Sequence, residues 1–529
     1  MKKNKETFMQ GVVILMFSQF IIKIIGLVYK IYITNKEGFG DAGNAIFSAS
    51  FQIYTLFLAF SCIGVPNAIA QLISAKSAIG DNKGAYRIFK VAISIFGFLG
   101  FLGTAILFVF AEKIANSYLG MPEAKLTIIA LAPSVFMVAI LSVFRGYFNA
   151  KEKIRVTANS QSIEQLLKTI FTFIVVETFS VISNKNTEIL VAGAGVAGTV
   201  STFFSLGYLY VSYIKNRQEI WQDVITSKKT EKESVRKIIK SILNLTFPMM
   251  IASILATANK SIDAFSIVNI IGRYTGIDEA KLQYGILTGK VESLVVLPYS
   301  FNIAFATALI PTISASRASG EMERAKKRMD FSILATILIS LPCTGVLWFF
   351  SEPILKLLFP NAYLGSTMLK LCSISIVFVA IAQTIGGILQ GLGKVKEPVI
   401  ALVFGVIIKL ILNPILLNIK SLNINGAIIA TIISHIVTFS ISFNYLKRYT
   451  KFKGNIFKFI IKPVIATIIM ISISKCVYYQ ISFIGQNLSL IIALIVGIIT
   501  YIFAVLLLKI LSKDELYMLP FFNKLCKKQ

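Results

Sequence analysis

Long apolar runs separated by short polar stretches dominate the chain. A run of about 20 apolar residues has the length that a helix needs to cross the roughly 30 Å hydrocarbon core of a bilayer. Lipid offers no hydrogen-bond partners, so each run has to satisfy its own backbone groups as a helix. The runs lack the apolar and polar alternation of transmembrane β-strands. The sequence therefore predicts an all-α integral membrane protein.

About fourteen such runs can be drawn at this length. Hydrophobic residues make up 56% of the chain, whereas soluble domains average about 45–50%. The predicted spans cover residues 8–33, 45–73, 86–110, 126–147, 156–179, 190–213, 243–271, 284–313, 331–350, 369–390, 399–417, 427–445, 457–477 and 488–511. The polar stretches between them are too short for a separate soluble enzyme domain.

The basic residues behind the net charge of +28 lie mostly in the predicted loops. Lys and Arg concentrate in alternate loops, as expected for loops on the cytoplasmic side of a membrane. The bias persists to the last segment, which predicts an even number of spans with both termini in the cytoplasm. Because no basic domain stands apart from the apolar runs, we expect the bilayer and no nucleic acid as a partner. The protein is expected in the cell membrane.

The sequence also repeats itself. Residues 73–85 read ISAKSAIGDNKGA and residues 313–325 read ISASRASGEMERA. Lys168 and Lys409 correspond at nearly the same offset. Six predicted spans separate the copies, so both halves should have the same orientation, as in parallel-repeat transporters. We predict an N-lobe at 1–240, a C-lobe at 241–450, and two further helices with a tail at 451–529.

The first span carries a charge near its middle. A Lys or Asp at mid-membrane costs about 2.5–3.5 kcal/mol. Lys23 shares a helix face with Gln19, Gly26 and Lys30. Lys23 lies too far from either end for easy snorkelling, so we expect it to face a polar cavity, where it would suit an anionic substrate.

The seventh and eighth spans supply four more candidates for a substrate cavity. Lys260 and Asp263 lie one helical turn apart, so they form either a structural ion pair or part of a gate or ion site. Lys290 lies near the predicted outer end of the eighth span. Asn302 lies deeper in the same span.

Other polar residues have plainer interpretations. Gln52 and Asn67 in the second span either line the cavity or bond a neighbouring helix. His435, the one histidine, is interpreted as a helix-packing residue. Residues 193–198 spell G-x-G-x-x-G inside an apolar run, which favours close helix packing over nucleotide binding.

Three charges are assigned to the cytoplasmic interface. Glu164 and Lys168 are spaced as an i,i+4 pair, and Arg145 is expected to anchor the end of the fourth span. No catalytic motif is found, and the five cysteines are scattered without a C-x-x-C pair. We therefore expect no catalytic residues, no metal and no cofactor.

Three segments together resemble one family of exporters. They are GVPNAIAQLISAKSAIGDNKGAYRIFK (64–90), IIKIIGLVYKIYI (21–33) and YGILTGKVESLVVLPYSFNIAFATALIPTIS (284–314). They are similar to the stage V sporulation protein B and MurJ-like branch of the multidrug/oligosaccharidyl-lipid/polysaccharide (MOP) exporter superfamily. The resemblance covers most of the chain.

The resemblance implies a V-shaped bundle of two lobes around a central cavity, with a lipid-tail groove formed by the last two helices. It implies a flippase for undecaprenyl-pyrophosphate-linked sugars such as lipid II, used in cell-wall, spore-cortex or polysaccharide synthesis. MurJ-like proteins carry cavity arginines on the first, second and eighth helices. Lys23 and Lys290 match the first and eighth, whereas the second span offers Gln52 and no arginine.

Two other functions stay open at this point. One is a cation-coupled multidrug exporter of the same superfamily, although such proteins usually have twelve spans and rely on buried carboxylates. The other is a membrane-embedded glycan polymerase, which would be expected to have a large outer loop with catalytic residues. The predicted protein is a monomer, and a coupling ion is a further possible partner.

Overall fold

The computed structural model describes residues 8–61, 64–227, 233–298, 302, 313–314, 322–450 and 457–512. Its described part is built from helices. We number them α1 Phe8–Asn35, α2 Gly40–Ser61, α3 Val65–Ala78, α4 Asn82–Lys113, α5 Ala124–Ala150, α6 Ile154–Ile182, α7 Thr187–Lys215, α8 Arg217–Ile225, α9 Val235–Thr275, α10 Ile277–Gly285, α11 Met322–Phe349, α12 Ser351–Leu358, α13 Ser366–Gly391, α14 Lys396–Leu417, α15 Asn425–Thr450, α16 Lys462–Gln480 and α17 Gln486–Leu507.

The described residues contain 11 helices that are long and apolar enough to cross a membrane. They correspond to the predicted third to seventh and ninth to fourteenth spans. The first predicted span coincides with α1, and the predicted eighth span, 284–313, lies partly outside the described residues. The all-α membrane fold predicted from the apolar runs is confirmed.

The predicted second span is divided in two. Helix α2 ends at Ser61, and α3 begins at Val65 after Gly64, which has a left-handed φ of 88°. Pro66 occupies the first turn of α3, where its missing N–H breaks no helical hydrogen bond. Glycine and proline therefore start a new helix within what reads as one apolar run.

Short π-helical segments interrupt or extend several helices. One follows α4 at Ile114–Leu119, one precedes α16 at Phe457–Ile461, and one follows α10 at Ile286–Val291. A π-helical turn is rare and occurs frequently at functional sites. The segment after α10 carries Lys290, one of the predicted candidates.

The chain separates into two compact units. Unit 1 comprises Met1–Lys290 and Asn413–Ile424. Its core includes an aromatic group formed by Phe89, Phe144 and Tyr213 of α4, α5 and α7. The glycines of the G-x-G-x-x-G sequence pack closely in unit 1, because the position of a Cβ at Gly195 lies 3.1 Å from Ala130. The helix-packing interpretation of that sequence is confirmed.

Unit 2 comprises Val291–Leu412 and Asn425–Gln529. Its main core is formed by apolar side chains of α11, α13 and α15, among them Ile333, Ile385 and Leu446. A smaller core joins α11 to α16 and α17 through Leu334, Ala466 and Ala504. The last two spanning helices therefore belong to the packing of unit 2.

Candidate functional site

Lys23 lies near the middle of α1 and is exposed. At 1.5 Å per residue it is about 20 Å from either end of the helix. It is close enough to Lys260 of α9, also exposed, for their like charges to interact. Among the described residues, no carboxylate lies within ion-pair distance of Lys23. Two ammonium groups at mid-helix favour a space beside them that is filled with water or an anion, because contact of a charged group with lipid costs free energy.

Unit 1 also holds a buried ion pair. Lys290 Nζ lies 2.8 Å from Asp41 Oδ2, and the side chains are 0% and 6% exposed. Lys30 is buried and attracts the same carboxylate. The carboxylate of Asp41 therefore interacts with two ammonium groups.

Two glycines allow the Lys290 segment to approach α2. A Cβ at Gly285 would lie 1.8 Å from the carbonyl oxygen of Asp41, and a Cβ at Gly289 would lie 2.5 Å from the side chain of Asn44. Only glycine fits such close backbone approach between helices. Asn44 is held in turn by a 2.9 Å hydrogen bond that it donates to Thr34 Oγ1 of α1. The π-helical turn thus places the Lys290 ammonium at the start of α2.

A cavity of about 300 Å³ lies within unit 1. Helices α1, α2, α5, α6 and α7 contribute to its wall. Its polar lining residues are Tyr54, Ser134, Arg145, Gln161, Glu164, Gln165, Lys168, Ser201 and Thr202. The charged face of α1 adjoins this cavity, because Gln165 Nε2 lies 3.7 Å from the Cβ position of Gly26.

The charges around this cavity are paired differently from the prediction. Arg145 Nη2 donates to Glu164 Oε2 at 2.8 Å, and its Nε donates to Ser160 at 3.0 Å. The side chain of Arg145 is 14% exposed and lies within unit 1. Its placement at the cytoplasmic end of the fourth span stays a prediction. Helices α6 and α7 provide the acceptors that hold the guanidinium, namely Ser160, Glu164 and Ser205.

Lys168 is enclosed by aromatic rings. Its Nζ lies 5.2 Å from the ring centroid of Phe51, 5.3 Å from Tyr29 and 5.7 Å from Phe47. Lys30 Nζ also lies 5.7 Å from Phe47. Cation–π contacts of this kind stabilise an ammonium away from bulk water. The prediction of an ordinary interfacial Glu164–Lys168 pair is therefore wrong, although Glu164 still attracts Lys168.

Asp263 is buried in α9 and accepts a 3.2 Å hydrogen bond from Asn413 Nδ2. Asn413 also donates to Ser266 at 2.6 Å. Asp263 is thus tied to α14, whereas Lys260 lies on the exposed side of α9. The role of Lys260 and Asp263 in a gate or ion site stays a prediction.

The remaining candidates occupy different surroundings. Gln52 is half-buried on α2 and Asn67 is exposed on α3, whereas the side chain of Gln19 lies outside the described residues. Asn302 is buried in unit 2, where its Oδ1 accepts from Thr336 at 3.0 Å. Unit 1 therefore brings Lys23 close to Lys260 and also contains Lys290, whereas Asn302 belongs to unit 2.

Sequence reasoning did not identify Asp41 as a partner. Asp41 precedes the predicted second span, and nothing in the local pattern relates it to Lys290, 249 positions later. The spacing of Gly285 and Gly289 ahead of Lys290 was the available signal, since small residues four apart indicate close helix packing.

The repeat-related lysines are both internal. Lys168 lies among aromatic rings on α6, and Lys409 on α14 is 1% exposed and close enough to His435 of α15 for their charges to interact. Lys168 in unit 1 and Lys409 in unit 2 thus have different surroundings, and their correspondence through an internal repeat stays a prediction.

Comparison with known proteins relates this architecture to a family. The sequence profile described as polysaccharide biosynthesis protein matches residues 8–317, and the profile described as MatE matches residues 289–415. The lipid II flippase MurJ of Bacillus subtilis (strain 168) is 26% identical over 483 residues, which are 88% of this chain and 86% of that protein. Stage V sporulation protein B of the same organism is 24% identical, and the match spans 98% of this chain and 99% of that protein.

Solved structures share the fold. A lipid II flippase MurJ in an inward closed conformation superposes with a TM-score of 0.70 at 19% identity, over 93% of this chain and 98% of that chain. An inward-facing multidrug resistance MATE family transporter of the MOP superfamily superposes with a TM-score of 0.65 at 14% identity. The match spans 83% of this chain and 98% of that chain. The MOP fold predicted from the sequence is confirmed. Since the first profile covers more than half of the 529 residues, the chain is a multi-pass membrane protein that belongs to the polysaccharide biosynthesis protein family.

Proposed function

We propose that this protein is a flippase that moves undecaprenyl-pyrophosphate-linked sugars, lipid II or a related polysaccharide precursor, across the cell membrane by alternating access. The observation that carries the proposal is the proximity of two exposed lysines, Lys23 and Lys260, at mid-span of α1 and α9. Two like charges in that position repel each other and are costly beside lipid. A diphosphate group would be attracted by both ammonium groups.

The rest of unit 1 supports an anionic substrate. Lys30, Lys168 and Lys290 lie on the same helices or on helices packed against them; Lys30 and Lys290 are buried, and Lys168 lies among aromatic rings. A diphosphate cannot enter hydrocarbon bare, because the desolvation cost is prohibitive. We propose Lys23 and Lys260 as direct contacts and the Lys290–Asp41 pair as a gating or positioning element beside them.

The relatives support the class of substrate. Among them are the lipid II flippase MurJ of Bacillus subtilis and a probable low-salt glycan biosynthesis flippase Agl15 of Haloferax volcanii, which is 27% identical over 29% of this chain. Neither name describes an enzyme, and we propose no catalytic role. A monomer with both termini in the cytoplasm and a coupling ion near Asp263 complete the proposal.

Translocation of labelled lipid II in proteoliposomes tests the function. We expect wild-type protein to move the label and Lys23→Ala to reduce the initial rate at least about 10-fold, as loss of one charge-assisted contact would. Lys23→Arg should retain most of the rate. Lys83→Gln, which removes an exposed charge at the start of α4, is the matched control.

Two results would overturn the proposal. Equal rates for wild type and Lys23→Ala would remove the assigned role of Lys23. Export of cationic dyes, with no movement of any lipid-linked sugar, would favour the multidrug exporter that the MATE-like fold also accommodates.

A further inference from the structure

Unit 2 contains a second cavity, of about 310 Å³, at the end where α11 and α16 finish. Helices α12, α13 and α17 begin at the same place. Lys356 of α12, Lys370 of α13 and Lys475 of α16 line this cavity together. Three helices that are unrelated in sequence therefore direct cationic residues to one site.

The cavity has an excess of positive charge. Glu352 is the one acidic residue of its lining, and its carboxylate pairs with Lys356 Nζ at 2.7 Å. That hydrogen bond, together with the charge of Lys356, holds the pKa of Glu352 below its usual range, so the carboxylate stays ionised. Among the described residues, Lys370 and Lys475 have no carboxylate within ion-pair distance. The cavity therefore carries a net charge of about +2 at neutral pH.

Neutral groups of the wall also suit an anion. Ser351 is 1% exposed, and its hydroxyl has no hydrogen-bond partner among the described residues. Lys475 Nζ lies 4.3 Å from the ring centroid of Phe349, which orients the ammonium along the wall. Tyr478 and Tyr479 supply further hydroxyl groups. A phosphate oxygen entering here would find ammonium and phenol donors in the same wall, with the Ser351 hydroxyl buried behind them.

The surroundings indicate a lipid source for that phosphate. The cavity lies at the ends of spanning helices, where headgroups meet the hydrocarbon, and tyrosines are enriched at this level. Exposed apolar side chains adjoin it, including Phe349 at 47%, Phe483 at 82% and Leu488 at 54% exposure. Acyl chains can cover these surfaces while the phosphate lies among the lysines.

We propose that this cavity of unit 2 binds the phosphate of an anionic phospholipid headgroup. Nearby lysines attract anionic lipids, and the donors around the cavity fix the position of one headgroup. The site is separate from the substrate contacts in unit 1, so it does not depend on the proposed flippase function.

Lipid binding to the purified full-length protein tests the proposal. Native mass spectrometry in detergent, or thermal unfolding in phosphatidylcholine nanodiscs with and without phosphatidylglycerol, gives the affinity. Lys370→Gln/Lys475→Gln should weaken phosphatidylglycerol binding about 30-fold, the equivalent of about 2 kcal/mol. Lys394→Gln/Lys447→Gln is the control, because those lysines also lie over aromatic rings of unit 2 but outside the cavity.

A third variant acts in the opposite direction. Glu352→Gln removes the competing carboxylate and keeps all three lysines, so phosphatidylglycerol should bind several-fold more tightly. This variant keeps the test decisive even if the double variant does not fold, which gel filtration would show.

Two outcomes would overturn the proposal. The first is equal affinity in the cavity and control double variants, or weaker binding after Glu352→Gln. The second is stabilisation by inorganic phosphate alone, with no response to phosphatidylglycerol, because the site would then take a free anion and not a lipid.

Discussion

Lys290 Nζ and Asp41 Oδ2 are 2.8 Å apart, although the two residues are 249 positions apart in the chain. Both side chains are almost wholly buried. The pair joins the π-helical segment after α10 to the first turn of α2, and Lys30 lies close enough to attract the same carboxylate. The ammonium of Lys290 is therefore held in unit 1 by a carboxylate at the beginning of α2.

Removing either partner of this pair should destabilise the protein. A buried charge left without its partner costs about 3–5 kcal/mol. We expect Asp41→Asn and Lys290→Met each to lower the free energy of unfolding by this order, and the double variant to lose less than the sum. Thermal unfolding in detergent gives the double-mutant cycle. Additive losses would show that the pair does not couple the two helices.

The close approach at Gly285 should not tolerate a methyl group. A Cβ there lies 1.8 Å from the carbonyl oxygen of Asp41, which is backbone and cannot move aside alone. Gly285→Ala should therefore cost about 1–3 kcal/mol and disturb the Lys290 contact. Gly207→Ala on α7 is the control, because nothing lies within 4 Å of its Cβ position, and it should gain up to about 1 kcal/mol in helix propensity. The same thermal measurement on both variants decides the point.

The cavity of unit 1 should depend on the charge of Glu164. Glu164→Gln keeps the shape of the side chain but leaves Arg145 without its carboxylate, which should cost about 1.5–3 kcal/mol. Glu152→Gln removes an exposed carboxylate and should have no measurable effect. Unfolding by heat or denaturant compares the two. An equal, small effect of both substitutions would mean that Arg145 is held by its serine partners.

Asn302 should act on stability more than on transport. Its amide donates to the Ala380 carbonyl at 2.6 Å and accepts from Thr336 and Thr384. Asn302→Ala should lower the melting temperature, equivalent to about 1–3 kcal/mol, with little change in the substrate concentration for half-maximal flipping. Asn418→Ala, at an exposed side chain that bonds locally, is the control. A raised half-maximal concentration without loss of stability would restore Asn302 as a substrate contact.

The segment before α9 should loosen at low pH. Lys76 Nζ lies 3.0 Å from Glu233 Oε1, and this contact holds the pKa of the Glu233 carboxyl below its ordinary value of 4.5. A depressed carboxyl pKa stabilises the fold above the unfolded pKa, and the contribution is lost as pH falls through the folded value. The protection factors of residues 233–240 against hydrogen exchange, which correct for the pH dependence of the intrinsic rate, should therefore fall below about pH 4.5. Glu233→Gln should abolish the pH step, and a step of unchanged size in this variant would contradict the assignment.

Much of the fold could be predicted because transmembrane helices are specified locally. The apolar run that became α4 needs no distant residue to be recognised, since its length and composition suffice. The helix break at Gly64 and Pro66 is also a local feature. The sequence nevertheless predicted one span there, because its apolar character continues across the break. Counting residues placed Lys23 near the middle of the first span and Lys290 near the outer end of the eighth.

The local sequence pattern could not predict which charged side chains contact one another. The i,i+4 spacing of Glu164 and Lys168 suggested a pair, but Arg145 of a different helix is the better-placed donor for Glu164. Lys168 instead lies among aromatic rings from α1 and α2. Which charges meet depends on helix rotation and crossing, and these are set by packing across the whole of unit 1.

The sequence by itself determined that this chain is a multi-pass helical membrane protein, with a basic residue at mid-span of its first helix. Hydrocarbon thickness and backbone hydrogen bonding leave no other solution for its apolar runs. Only the tertiary structure decided that Lys23 lies near Lys260, that Lys290 is bound by Asp41, and that three lysines share a cavity in unit 2. Electrostatic contacts act over a few ångströms, and only the packed helices bring residues that far apart in sequence to such distances.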